Sequence, residues 1–68
     1  MTPAARIKAA IAAYPGSLTS LAYGLNVSRA LLYAWAAGKR ESTEQDAERV
    51  VTLAARMTRS ALERLETL

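Results

Sequence analysis

Apolar side chains recur along this chain at the spacing of helix faces. Ile7, Ala10, Ile11 and Tyr14 form one stripe, Leu21, Ala22 and Leu25 a second, and Leu32, Trp35 and Ala36 a third. A fourth runs through Ala47, Val50, Val51, Ala54 and Met57, with Leu53 partly beside it, and Leu62, Leu65 and Leu68 share one side of the C-terminal stretch. The pattern predicts an all-α fold of four to five short helices. Its core is expected to comprise Ile7, Ile11, Leu21, Ala22, Leu25, Val27, Leu32, Trp35, Val50, Val51 and Ala54. Trp35 is the packing anchor, because a lone large aromatic supplies a major share of burial in a small domain. Leu31, one turn before Trp35, and Tyr14 are assigned to the core margin, while Tyr23 and Arg6 fall off their stripes and read as solvated.

Polar and turn residues place the helix ends. Thr2 with Pro3 behind it starts the first helix, where proline's missing N–H costs nothing, and Pro15-Gly16 ends it. Ser17 caps the second, which stops at Leu25 because Asn26 can adopt the left-handed conformation that closes a helix. Val27 then packs back onto Ala22 or Leu21, and also forward onto Leu32, while Ser28 caps the third helix. One valine closes one helix and opens the next. The third helix runs from Arg29 to about Ala37, with Gly38 at its C-terminal cap. Ser42 with Gln45 forms a capping box for the fourth, strengthened by Glu44 and Asp46 in the first turn. Ser60 with Glu63 either caps a fifth helix or lies within one long bent helix; both readings stay open.

The stretch from Ser17 to Ala37 is thus two short helices on a tight turn, a helix-turn-helix. Its residues LAYGLNVSRALLYAWAAGKR resemble the small phage Cro and repressor-type helix-turn-helix regulators, and the resemblance covers most of the chain. The shared pattern is Leu-Ala, a later Leu, a turn residue, Val-Ser, then a helix ending in Trp, Gly and basic residues. The family usually has Gly where this chain has Asn26, and often Gln where it has Leu18, which removes a phosphate contact. The resemblance implies a base-facing set of Ser28, Arg29, Ala30, Tyr33 and Ala34, buried positions at Ala22, Val27, Leu32 and Trp35, and pairing about a two-fold axis.

Composition narrows the function. The 68 residues make a single domain, and a chain this short buries only about 60% of its unfolded surface. Fifteen residues are alanine, which leaves twenty large apolar or aromatic side chains to build both core and partner surface, so oligomerisation would add stability. There is no cysteine and no histidine, which removes disulfides, thiolate nucleophiles and the commonest zinc ligand sets. No apolar run is long enough to span a membrane and no secretory signal is visible, so a cytoplasmic protein is expected. Glu44, Asp46 and Glu48 are the best carboxylate group available, and they read as dipole partners rather than as catalytic residues. No enzyme activity, cofactor or metal is expected.

The net charge of +3 matters less than its distribution. Residues 1–40 carry Arg6, Lys8, Arg29, Lys39 and Arg40 and no acid, whereas the remainder carries four arginines against six acids. Such asymmetry points one end at a polyanion. The expected partner is double-stranded DNA, with Arg29 offering a donor fork to guanine and Ser17, Thr19, Lys39 and Arg40 holding phosphates. The C-terminal helices, residues 43–67, are assigned to a homodimer interface through Leu53, Met57, Leu62, Leu65 and Leu68. The expected role is a transcriptional repressor on palindromic operators. Two alternatives stand beside it: a module that captures a second protein partner, kept alive because Arg29 is the sole charge on the reading face, and an architectural DNA-bending protein of the excisionase kind.

Overall fold

A hydroxyl starts each helix of the chain. In the computed structural model, which describes residues 1–67, Thr2 accepts from the Ala5 N–H ahead of helix α1 (Pro3–Ala13) and Ser17 accepts from Ser20 ahead of α2 (Leu18–Leu25). Ser28 does the same through Leu31 for α3 (Arg29–Ala36), and Thr43 through Asp46 for α4 (Glu44–Glu66). These bonds satisfy backbone donors that have no partner inside a helix. Among the described residues there is no strand, and no helix is long and apolar enough to cross a membrane.

The turn between α2 and α3 takes the closure that its residues predict. Asn26 is left-handed, at φ 59° and ψ 40°. The Val27 N–H then donates to the Ala22 carbonyl at 3.1 Å and the Asn26 N–H to that of Tyr23 at 3.1 Å, the two bonds of a Schellman closure. The same closure ends α3, where Gly38 sits at φ 75° and Lys39 N–H reaches the Ala34 carbonyl at 2.9 Å. Residues 22 to 28 therefore fix where α2 ends and where α3 begins.

Helices α1 and α2 form the middle of the fold, each packed against both α3 and α4. Ile7, Leu21, Leu32 and Val50, one from each helix, are wholly buried at the centre, joined by Ala22, Leu25, Trp35, Ala47 and Ala54. Ile11, Val27 and Leu31 are half-buried and pack against this cluster. Tyr14 closes its edge, bonded through its hydroxyl to Ser20 Oγ at 3.0 Å and to Met57 Sδ at 3.7 Å.

Several expectations are corrected. The capping box of α4 uses Thr43 and Asp46, one residue later than Ser42 and Gln45: Asp46 Oδ2 accepts from the Thr43 N–H at 2.9 Å, and a carboxylate at a helix N-terminus is a stronger partner than an amide. Of the two readings left open for the C-terminal part, the structure takes the continuous one: a single helix of 23 residues, with no break at Ser60. No glycine or proline interrupts it, and Thr58 turns its hydroxyl back onto the Ala54 carbonyl at 2.8 Å, so the hydroxyls of this stretch do not break the helix. Val51 is half-buried on the rim rather than in the core. Leu53 and Met57, named for the dimer interface, are half-buried and pack against the core cluster, Leu53 directly over Gly24, where an added Cβ would meet its Cδ2 at 2.8 Å.

Arg6 is not merely solvated. Its guanidinium bridges Glu44 and Glu48, each at 3.1 Å, and so ties α1 to the first turns of α4. The hydrogen bond to Glu48 raises the Arg6 pKa above its ordinary value. Arg49 Nη2 donates to the Leu25 carbonyl at 2.9 Å, covering an acceptor that the end of α2 leaves free.

Three variants test this architecture by urea unfolding. Trp35→Ala removes a side chain only 8% exposed and is expected to cost about 3–5 kcal/mol. Asn26→Gly should leave stability unchanged or raise it, whereas Asn26→Val should lose about 2 kcal/mol, because a β-branched residue is strained at positive φ. Equal midpoints for the two Asn26 variants would show that the left-handed turn is not limiting.

Candidate functional site

Eight residues make α3, and burying Leu32 and Trp35 turns the opposite side of the helix to solvent. That side carries Ser28, Arg29, Ala30 and Tyr33, all exposed, Tyr33 at 64%. Ala34, expected on the same face, is half-buried and stands at its margin. Its carbonyl instead accepts from both Lys39 and Arg40, at 2.9 and 3.3 Å, which fastens the basic pair to the end of α3.

The N-terminus of α2 lies beside this face. Ser17, Leu18 and Thr19 join Arg29, Ala30 and Tyr33 around one open cleft. Arg29 Nη1 donates to Thr19 Oγ1 at 3.3 Å across it, leaving four of the five guanidinium N–H groups free. The hydroxyls of Ser17 and Ser28 are engaged as helix caps, yet each retains its own hydrogen to donate outward. Behind each cap, the first N–H groups of α2 and α3 have no intrahelical acceptor and can bind an anion. On its other side Tyr33 borders an apolar groove with Lys8, Ile11, Ala12, Leu18, Ala36 and Ala37.

The cations of this side form no ion pair among the described residues, although the exposed Glu41 directly follows Arg40. Among the described residues the ion pairs both belong to Arg6, so Lys8, Arg29, Lys39 and Arg40 are exposed and unpaired, and residues 1–40 contain no acid to oppose them. Glu44 and Glu48 are held by Arg6 at the N-terminal end of α4. The face thus combines one arginine with small residues, hydroxyls and free backbone donors. Among the described residues no three acidic side chains converge as a metal site.

Of the residues predicted from the sequence for DNA contact, the structure brings Ser17, Thr19, Arg29, Ala30 and Tyr33 together around the cleft, with Ser28 at the N-cap of α3 and Lys39 and Arg40 just past the helix end. Of those predicted for dimerisation, Leu62 and Leu65 are exposed, Leu53 and Met57 are used within the chain, and Leu68 lies outside the described residues. Sequence reasoning missed the Arg29–Thr19 contact, which joins residues ten apart on two helices, and the Arg49 bond to Leu25. Nothing local to either arginine signals its partner.

Comparison with known proteins finds no matching family, no matching curated protein and no matching solved structure.

Because the face is exposed, it is dispensable for folding. Arg29→Ala and Tyr33→Ala should each change stability by no more than about 0.5 kcal/mol, the usual range for surface substitutions. A urea midpoint shifted like that of a core variant would mean that the side chain packs in solution.

Proposed function

We propose that the chain is a sequence-specific double-stranded DNA-binding regulator of the Cro and repressor helix-turn-helix type. The observation that carries the reading is the free face of α3: one arginine among small and hydroxylic residues, on a helix whose start is set by a shared turn. An α-helix with its side chains is about 10–12 Å across, which fits the width of the major groove, and the eight residues of α3 offer some 12 Å of helix, at about 1.5 Å per residue, to the base edges.

In this mechanism α3 lies in the groove with its N-terminal half against the base edges. Arg29 presents two parallel donors to guanine O6 and N7, while Ser28 hydrogen-bonds and Tyr33 meets a thymine methyl or a phosphate. Ala30, and Ala34 at the margin, let the helix backbone approach closely. The N–H groups behind Ser17, the hydroxyl of Thr19 and the cations Lys39 and Arg40 hold phosphates and set register. One helix of eight residues reads only a few base pairs, so useful specificity calls for two copies on a palindromic operator, with half-sites about 34–36 Å apart. Occupying such an operator represses transcription.

Selection of bound sequences from random duplexes tests the reading, with a palindromic motif expected. On the selected site Arg29→Ala should cost about 1–3 kcal/mol and relax preference at one base pair, whereas Lys39→Ala should weaken all sites and lower the salt slope by about 1. Equal losses on selected and random DNA would take base reading away from Arg29. No binding to any duplex at low salt would end the proposal.

A further inference from the structure

Helix α4 is about 34 Å long, longer than the body it packs on. Its last buried residue is Ala54, every residue from 61 to 67 is exposed, and the longest dimension of the molecule is 41 Å against 23 and 17 Å for the others. Leu62 and Leu65 sit on this projecting part at 55% and 66% exposure. They are three residues apart and so share one side of the helix, in line with Thr58 one turn earlier.

The residues beside that strip indicate what covers it. Arg59 and Glu66 are seven apart, two helical turns, and so lie on the same flank of the leucines. Both are exposed, and among the described residues neither has an ion pair. About 10 Å of helix separates them, too far for them to meet within one chain. In a parallel pair related by a two-fold axis along the helices, the two copies of this flank lie on opposite sides of the seam, so neither Arg59 meets a Glu66. An antiparallel pair crossing near Leu62 and Glu63 sets each Arg59 against the other copy's Glu66, twice by symmetry, with the leucines between them. The strip is therefore complementary to itself in one direction only.

We propose that the projecting end of α4 pairs antiparallel with the same segment of a second copy of this chain, with Leu62 and Leu65 at the centre and two Arg59–Glu66 ion pairs on the flank. The pairing supplies a partner surface for the two copies invoked under the proposed function; it rests on that pairing of copies and not on the binding of DNA. It also gives the last turns of α4 the packing that an isolated helical extension of this length lacks. The interface is small and the dimer correspondingly weak.

The test is sedimentation of the DNA-free chain over a concentration series. The parent should dimerise below about 1 mM, and the double variant Leu62→Glu with Leu65→Glu should stay monomeric while keeping its helical circular dichroism. Arg59→Glu alone and Glu66→Arg alone should each weaken the dimer about tenfold, since each puts two like-charged pairs in place of two ion pairs. Combining Arg59→Glu with Glu66→Arg should restore parental association, which only contact between copies can do. A parent that stays monomeric to about 1 mM overturns the proposal, and so does a combined variant no better than the singles; the latter would leave the strip to a different protein. Binding of the monomeric leucine variant to a half-site duplex is measured separately, so that failed dimerisation and failed DNA recognition give different results.

Discussion

The left-handed backbone at Asn26 is the constraint on which the rest of the structure depends. With φ at 59°, the chain reverses within three residues, and two N–H groups find the carbonyls that α2 leaves open. That reversal brings Val27 onto the core and leaves Ser28 free to cap α3, so one residue's conformation fixes both the end of one helix and the start of the next. Asparagine tolerates the position at lower cost than most residues because its short polar side chain can bond locally. Burial then follows: Leu21 and Leu32 approach from either side of the turn to the same centre, where Ile7 and Val50 complete the contact.

Much of this was legible in order along the chain. Capping residues, the proline at the first turn of α1, and the Asn26-Val27-Ser28 turn act through neighbours three or four residues away, and such chemistry can be read directly. The start of α4 shows the limit, since Ser42-Gln45 and Thr43-Asp46 both fit a capping box and only the bonds made distinguish them. Continuity of α4 was equally open, because Ser60 followed by Glu63 has the same pattern whether it begins a helix or lies inside one.

The candidate site was legible as a face but not as a network. Helical periodicity puts Ser28, Arg29, Ala30 and Tyr33 on one side once Leu32 and Trp35 are assigned inward. It does not reveal that Thr19 meets Arg29, that Arg49 covers Leu25, or that Arg6 is taken up by two glutamates, because each pairing joins residues from ten to forty-two apart. Long flexible cations reach several neighbours, and which one they meet depends on the packing of whole helices. For the same reason the packing of Leu53 was not legible: the gap it fills over Gly24 exists only after α2 and α4 have docked.

The Arg6 bridge to Glu44 and Glu48 joins one end of the fold to the other across thirty-eight and forty-two residues. With Ile7 beside it in the core, it turns α1 and α4 into a clasp, and the segment between them becomes a closed loop holding α2, the turn and α3. Closing a loop of that size costs chain entropy that grows only slowly with its length. The segment then behaves as a cassette: residues on its outer side can be exchanged without the clasp having to reform differently. A lineage of such chains can diversify the outer side of α3 while inheriting one unchanged frame.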